Sequence, residues 1–229
     1  ERAMVVTQNG TMWGQPGFPR GYEVFRNSSA FTDESMTYLL PPNNRQVNVV
    51  FPTDRMCKAS QSRLNSSWES LPIDASPNSS VMLMYQENGH VTMLNSTPGK
   101  LSSRIVSVYR TSNPLPTDLF QDIHNVWSYH ENNTSGRLLS RSKFDDGSCY
   151  QVNGSPESIR RSELDQRPHM PFEGNDLWCG ILVTLPSDIV TGSVYTLYWV
   201  WDWPSEARFP ELPQGKVEIY TTCLDILII

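Results

Sequence analysis

The segment Tyr195-Thr-Leu-Tyr-Trp-Val-Trp-Asp-Trp203 has the clearest pattern of a β-strand in the sequence. Large apolar side chains recur at every second position, and side chains two residues apart in a strand lie on the same face. The pattern predicts a core face whose aromatic rings bury much apolar surface. Its members are Tyr195, Leu197, Trp199, Trp201 and Trp203. Asp202 falls on the opposite face, where it reaches solvent or a loop, and Pro204 ends the strand because it has no N–H to donate.

Other short segments with alternating or continuous apolar residues are also predicted strands. They are Ala3–Gln8, Tyr22–Arg26, Gln46–Phe51, Val81–Gln86, Arg104–Arg110, Trp178–Leu185 and Lys216–Leu227. Helical periodicity is nearly absent, and only Asp118–Trp127 is predicted as a short helix. The 17 prolines and 13 glycines punctuate the strands and predict loops at 14–19, 41–44 and 113–116. Many short strands separated by turns indicate an all-β, two-sheet antiparallel sandwich with long loops and few short helices.

The 229 residues show no break in composition that would separate a second domain. A chain of this length fits one β-sandwich. We therefore predict a single domain over residues 1–229, with a long loop-rich insertion at about 111–175 that Cys149 ties down.

The charge pattern excludes several classes of protein. The 18 basic and 24 acidic residues give a net charge of −6, and no run of five basic residues occurs, so a nucleic-acid footprint is absent. No apolar run approaches the length of a transmembrane helix. The 24 aromatic residues and the low charged fraction are typical of a folded chain with a sizeable core.

Two features favour export. Asn-x-Ser/Thr sequons occur eight times, mostly among Ser, Pro and Gly, which predicts a glycosylated surface. They lie at Asn9, Asn27, Asn65, Asn78, Asn95, Asn132, Asn133 and Asn153. The four cysteines are widely spaced and lack zinc-finger spacing, so two disulfides in one of three pairings are expected. The alternative is four buried free thiols in a cytosolic protein. The exported chain would be a trimmed one, because no signal peptide is visible.

Signals for hydrolases are poor. The sequence has no Gly-x-Ser-x-Gly, no His-Glu-x-x-His and no glycine-rich phosphate loop. The histidines are His90, His124, His130 and His169. The adjacent Asp145 and Asp146 suit a solvated turn better than a glycosidase pair, since neighbouring strand residues point to opposite faces.

Two segments place candidate chemistry next to strands. In Gln86-Glu-Asn-Gly-His-Val-Thr92 a strand runs into a turn that presents His90. In Gly215–Cys223 a strand places Glu218 and Tyr220 on one face, just before a cysteine. Taken singly, His90 would be a surface or hydrogen-bonded residue, Tyr220 a core residue or a structural corner, and Glu218 a strand residue facing water.

With these segments the chain resembles the lytic polysaccharide monooxygenases, and it is most similar to a largely uncharacterised set of secreted fungal proteins of that type. The matching segments cover most of the chain. They are residues 16–22, 36–42, 86–92 and 144–150, together with the two late strands at 194–203 and 216–227.

The resemblance implies an immunoglobulin-like or fibronectin-III-like sandwich with one surface copper ion. A mature N-terminal histidine, through its amino group and ring, and a second histidine would hold the metal. His90 matches the second histidine, Tyr220 the axial tyrosine and Glu218 an outer-shell residue that steers a reduced oxygen species or accepts a proton. Imidazole and amine nitrogens in tetragonal geometry favour Cu(II). The resemblance also favours the disulfides Cys57–Cys223 and Cys149–Cys179.

The sequence departs from that family at its start, which is Glu1 rather than a histidine. Three explanations remain open: the first residues are missing from the sequence, they were removed by proteolysis, or the protein begins here without a copper brace. None of the other three histidines replaces an amino-terminal chelate by itself.

The leading expectation is a secreted, extracellular or cell-wall-associated copper protein that oxidatively cleaves glycosidic bonds in a polysaccharide and needs an external electron donor. The alternative is a non-catalytic glycoprotein on the same scaffold, with a role in copper binding or transport, or in structure and self-assembly. A glycan on Asn95, five residues from His90, would hinder docking onto a flat substrate. Exposed Trp13 or Phe18 could stack on a sugar, and Leu224–Ile229 is either the last sandwich strand or an edge that pairs with a neighbour.

Overall fold

A computed structural model describes residues 1–25, 28–29, 31–64, 71–130 and 136–229. Its strands are β1 (Arg2–Val6), β2 (Met12–Gly17), β3 (Leu39–Leu40), β4 (Ile73–Ala75), β5 (Ser80–Tyr85), β6 (Ile105–Thr111), β7 (Arg137–Lys143), β8 (Cys179–Thr184), β9 (Val194–Asp202) and β10 (Ile219–Ile228). The helices are short: α1 (Asp33–Met36), α2 (Phe120–Ile123) and α3 (Pro156–Leu164). Single 3₁₀ turns lie at Ala59–Gln61 and Leu94–Ser96.

The strands form two sheets, which confirms the all-β sandwich. The first sheet has the order β2-β1-β5-β8. The second has the order β3-β10-β9-β6-β7, with β4 pairing in parallel beside β10. All other strand pairs are antiparallel. Because β10 has β9 on one side and β3 and β4 on the other, Leu224–Ile229 belongs to a covered strand rather than an open edge.

The core lies between the sheets, and β9 supplies its centre. The predicted face of Tyr195, Leu197, Trp199, Trp201 and Trp203 packs there against apolar residues of the first sheet. The opposite face of β9 is also covered, because Tyr198 and Val200 belong to a second cluster under α2. Asp202 is partly exposed, as predicted, and its carboxylate lies 4.0 Å from Nε2 of His124.

The two disulfides join Cys57 to Cys223 and Cys149 to Cys179, the pairing that the resemblance implied. Cys57–Cys223 fixes the loop after β3 to the middle of β10, at the edge of the second cluster. Cys149–Cys179 fixes the segment after β7 to the first residue of β8. Each bridge therefore ties a long loop to a core strand.

Several local predictions were wrong. Residues 14–17, predicted as loop, belong to the edge strand β2. Pro16 is tolerated there because an edge strand has a neighbouring strand on one side alone, so the missing N–H of proline need not cost a hydrogen bond between strands. Gln46–Phe51 and the described part of Tyr22–Arg26 form no strand. By contrast, the short helix predicted at 118–127 is present as α2, although it spans only Phe120–Ile123, and the loop-rich region 111–175 also contains β7 and α3.

Candidate functional site

A tight turn places His90 at the end of β5. Asn88 and Gly89 both have positive φ, 47° and 79°, and the amide of His90 donates to the carbonyl of Glu87 at 2.7 Å. Asn-Gly is the residue pair that favours such a turn, since both residues adopt left-handed backbone readily. The chain reverses there and brings the imidazole back over the core strands.

The carboxylate of Glu87 holds this turn in place. It is 1 % exposed and accepts hydrogen bonds from the amides of Val91 (2.8 Å), Thr92 (3.3 Å) and Gln151 (2.8 Å), and from the hydroxyl of Thr92. These bonds join the loop after His90 to the segment that follows Cys149. Glu87 is not among the predicted site residues, because its longest-range bond, to the amide of Gln151, joins segments 64 residues apart.

The His90 ring packs on tryptophans and makes no hydrogen bond to another described residue. Its centroid lies 4.4 Å from that of Trp203 and 5.3 Å from that of Trp201. Burial lowers the pKa of His90, although the charge of Glu87 opposes the shift. The imidazole is therefore neutral near pH 7, with ring nitrogens available to a ligand.

Tyr220 lies beside the same tryptophan. It is the register partner of Trp201 across β9 and β10, and the two rings stack at 5.2 Å and 29°. Burial, and then the charge of Glu218, raise the pKa of Tyr220 to about 12. His90 and Tyr220, predicted as one site, are thus brought to a common tryptophan, and the phenol stays protonated near pH 7.

Glu218 is held in an ion pair that the sequence did not indicate. Its carboxylate accepts hydrogen bonds from Nζ of Lys100 (2.5 Å), Nζ of Lys216 (3.0 Å), the hydroxyl of Ser205 (3.2 Å) and, more weakly, the hydroxyl of Tyr220 (3.5 Å). Burial works to raise its pKa, but the bonds from Lys100 and Lys216 outweigh burial and hold the pKa of Glu218 below its ordinary value. Glu218 therefore stays ionised and does not face water freely.

Lys100 is the residue that sequence analysis missed. Its side chain is 1 % exposed, its ammonium also donates to the carbonyl of Trp203, and it lies 3.7 Å from the centre of the Trp203 ring. It precedes Glu218 by 118 residues, so no local pattern could pair the two.

His90, Tyr220 and Glu1 line one cleft of about 570 Å³, called here the His90 cleft. Trp199 and Trp201 also line it, and residues 31–38, which contain α1, form one wall. Lys58 fixes this wall by donating to the carbonyls of Ser35 (2.8 Å) and Thr37 (3.3 Å). The start of β1 reaches the cleft because Oε1 of Glu1 accepts a hydrogen bond from Thr222 at 3.1 Å.

The indole nitrogen of Trp199 is a buried donor without an acceptor among the described residues. Trp199 is 6 % exposed and lines the His90 cleft. A buried N–H that lacks an acceptor is costly, so this position is one where an additional group with an acceptor oxygen would be stabilised.

The other histidines lie outside the His90 cleft. His124 hydrogen-bonds Tyr109 at 3.1 Å, and His169 pairs with Asp165 at 2.6 Å, while His130 is exposed. Across the described ranges, the only cluster of three His, Cys, Asp or Glu ligand atoms is Asp145, Asp146 and Cys149. It does not suit copper, because Cys149 is in a disulfide and Asp145 is paired with Arg161.

The predicted glycosylation sites differ in accessibility. Asn9, Asn78 and Asn95 are exposed, whereas Asn153 is half-buried and its amide donates to the hydroxyl of Thr92 at 2.7 Å. Four further sequon residues lie outside the described residues: Asn27, Asn65, Asn132 and Asn133. Their modification remains a prediction.

Of the two aromatic residues proposed to stack on sugars, one is open to solvent. Trp13 is 72 % exposed. Phe18 is half-buried and covered by the guanidinium of Arg2 at 4.5 Å and by Tyr22 at 4.7 Å. Within the described part of the chain, no helix is both long and apolar enough to cross a bilayer.

Comparison with known proteins gives one match. No curated protein and no solved structure matches the chain. A family model described as "Domain of unknown function (DUF7492)" matches residues 1–229. The chain therefore belongs to the DUF7492 family.

Proposed function

We propose that the protein is a secreted copper-dependent monooxygenase of the lytic polysaccharide type, which oxidatively cleaves glycosidic bonds. One observation carries the proposal. The neutral imidazole of His90, free of hydrogen bonds to described residues, shares a cleft with Tyr220 and with the start of β1. This is the arrangement in which a residue ahead of Glu1 would complete a metal site.

The donor atoms in the cleft fit copper but are too few for tight binding. An imidazole nitrogen and a phenol oxygen suit Cu(II) in a tetragonal site. The proposal therefore requires further nitrogens from a histidine that precedes Glu1 in the mature protein. In the antiparallel register Arg2 pairs with Met84, so continuation of β1 backwards would run past Tyr85 toward Gln86 and the His90 turn.

The unpartnered Trp199 N–H supports the same requirement. An upstream segment in the His90 cleft would bring backbone carbonyls, and one of these could accept from the indole nitrogen. The β1–β5 register and the unpartnered indole N–H of Trp199 thus both favour a chain segment ahead of Glu1 at the position where the copper ligand is needed.

Bound copper would supply the one-electron chemistry with dioxygen or peroxide that oxidises a sugar C–H bond. The residues of this chain position the site. Trp201 and Trp203 hold the His90 ring, and Tyr220 keeps its proton near pH 7. Glu218, fixed by Lys100, accepts from the Tyr220 hydroxyl and orients it.

Secretion is part of the proposal. Two disulfides and the exposed sequon residues Asn9, Asn78 and Asn95 support an oxidising, glycosylating compartment. The polysaccharide partner is inferred from the family resemblance alone.

A second function, copper binding without polysaccharide cleavage, is favoured by the surroundings of the site. Residues 31–38 form a wall beside His90, and the exposed Asn95 follows His90 on the same loop. A wall and a glycan next to the metal would both keep a flat polymer surface away.

The test uses full-length protein secreted from a eukaryotic host with its native leader. The mature N-terminus is sequenced first, and Cu(II) affinity is then measured by competition titration with electron paramagnetic resonance of the bound ion. His90→Ala should weaken copper binding by about 10²-fold or more, since loss of an outer partner alone costs 10–100-fold. His130→Ala is the matched control, because His130 is exposed and outside the cleft, and it should leave affinity unchanged.

Cleavage is measured separately, by mass spectrometry of oxidised oligosaccharides from a panel of polysaccharides with a reductant. Products that disappear in His90→Ala support the monooxygenase. Tight copper binding without products supports the second function. A mature chain without an N-terminal histidine, or equal copper affinity in both variants, overturns both.

A further inference from the structure

A second cleft lies at the open edge of the sandwich, between β2 of the first sheet and β4 of the second. It has a volume of about 870 Å³ and is called here the Trp13 cleft. It shares no lining residue with the His90 cleft. Trp13 pairs with Val5, which lies four residues along β1 from Glu1, so the two clefts are separated by about 14 Å along the strand.

The lining of the Trp13 cleft combines apolar surface with hydrogen-bonding groups. Trp13, Leu71 and Ile229 are 72 %, 50 % and 62 % exposed, which is a large apolar surface to leave in water. Around them lie the polar side chains of Gln8, Gln15, Asp74, Ser76 and Ser79. A flat aromatic ring beside amides, hydroxyls and a carboxylate is chemically suited to a sugar, whose C–H face packs on the ring and whose hydroxyls bond to the polar groups.

A sequon lies in the same cleft. Asn78 is one of its lining residues, begins the sequon Asn78-Ser79-Ser80 and is exposed. Its backbone is held in the left-handed region, with φ of 63°, and its amide N–H donates to the carbonyl of Pro186 at 3.2 Å. The side-chain amide makes no hydrogen bond to another described residue, so its nitrogen is available for a glycan, unlike that of Asn153.

The strand register brings Asn78 within reach of Trp13. Val81 of β5 pairs with Val5 of β1, and Val5 pairs with Trp13 of β2. Trp13 is therefore two strand spacings, about 10 Å, from Val81, and Asn78 lies three residues, about 10 Å along the strand, before Val81, so Asn78 and Trp13 are about 14 Å apart. The first sugars of an N-linked glycan span a comparable distance.

From this juxtaposition we infer that the Trp13 cleft is a docking site for the chain's own N-linked glycan on Asn78, whose first N-acetylglucosamine units stack on the Trp13 ring. The glycan covers the apolar edge between the two sheets. The inference rests on secretion, which the proposed function also assumes, but it does not depend on copper.

The first measurement is made on metal-free protein from the eukaryotic host. Peptide mass spectrometry gives the glycan occupancy of Asn78, and hydroxyl-radical footprinting gives the oxidation rate of Trp13. Ser80→Ala removes the sequon and keeps Asn78. It should raise the oxidation rate of Trp13 about twofold, because a docked sugar shields one of the two ring faces. Thr97→Ala removes the Asn95 sequon in the same way and should not change the rate.

A thermal cycle separates docking from a general effect of glycosylation. Ser80→Ala should lower Tm by about 2–4 °C in the wild-type background, the shift expected for loss of one aromatic contact in a domain of this size. In a Trp13→Ala background it should cause no further shift. Equal shifts in both backgrounds, an unglycosylated Asn78 or an unchanged Trp13 oxidation rate would each overturn the inference.

The outcome is independent of the proposed copper site. Neither Ser80 nor Trp13 lines the His90 cleft, so copper affinity should be the same with and without the Asn78 glycan. Failure of copper binding therefore leaves the docking result interpretable, and the reverse also holds.

Discussion

Replacement of Lys100 by methionine should destabilise the fold by about 3 kcal/mol at pH 7, because it leaves Glu218 buried without its main partner. Removal of one member of a buried ion pair costs about 3–5 kcal/mol, and the side chains of Lys100 and Glu218 are 1 % and 11 % exposed. The lower end applies because Lys216 and Ser205 still donate to the carboxylate. Methionine fills a similar volume to lysine, so the substitution leaves little empty space and adds little destabilisation from a cavity.

The cost of Lys100→Met should depend on pH. The pKa of Glu218 in the folded protein lies below its ordinary value of 4.5, so the pair contributes its full stability above pH 4.5 and loses it as pH falls through the folded pKa. The difference between wild type and variant should therefore shrink from about 3 kcal/mol at pH 7 toward zero in the range below pH 4.5.

The measurement is urea unfolding followed by tryptophan fluorescence, at low salt and at both ends of this pH range. Lys216→Met is the control, because Lys216 bonds the same carboxylate but is 37 % exposed, and it should cost less than about 1 kcal/mol. A Lys100→Met cost that is below about 1 kcal/mol at pH 7, or that does not change with pH, would refute this account.

Two further substitutions test how the site and the core are held. Glu87→Gln places an amide NH₂ group opposite backbone N–H donors, so it should lower the free energy of unfolding in urea by about 2–3 kcal/mol and weaken copper binding. The control is Glu163→Gln on the exposed side of α3, which should change neither the stability nor the copper affinity. Gly136→Ala should cost about 3 kcal/mol, since a Cβ there would lie 2.0 Å from the Trp127 ring, and differential scanning calorimetry checks it. Gly180→Ala meets the flexible end of a methionine instead and should cost less than about 1 kcal/mol; equal losses at the two glycines would contradict the packing argument.

The central strands could be predicted because their signal is local. In β9 the period of two places five large side chains on one face, and no other regular structure has that period. The edge strand β2 could not be predicted in this way. Its Gly14 has a φ of 84° at an irregularity in the pairing with β1, where a glycine is needed because it has no Cβ. Its Pro16 lacks an N–H, which an edge strand tolerates because one of its sides has no partner strand.

The helix α3 was missed for a different reason. Ser155 caps it by accepting from the amide of Ser158, and Pro156 begins it, which is a recognisable start signal. Apolar periodicity is lacking, however, because the helix is attached through Arg161, which bonds Asp145 and Glu157 rather than packing an apolar stripe. Charge pairing between distant segments leaves no periodic trace in the sequence.

At the candidate site, too, local patterns could be predicted from the sequence and contacts between distant segments could not. The turn before His90 and the two-residue spacing of Glu218 and Tyr220 are local patterns, and the sequence indicated both. The side chain that determines what Glu218 does is Lys100, from a loop 118 residues earlier. A carboxylate facing water could exchange protons with a substrate or solvent. One that is held ionised by two ammonium groups and a hydroxyl resists protonation, so its influence on Tyr220 is electrostatic and positional.

This assignment changes what a variant at Glu218 should reveal. If Glu218 supplied or accepted a catalytic proton, Glu218→Gln would alter chemistry and leave the fold intact. If it positions Tyr220 by an ion pair, the same change leaves the buried ammonium of Lys100 with neutral acceptors alone, the new amide oxygen and the carbonyl of Trp203, and without its counter-charge. Glu218→Gln should then lower stability in the same unfolding assay and shift the Tyr220 titration downward, because the charge that raises its pKa is gone. A change in turnover with no change in either quantity would favour the proton-transfer role.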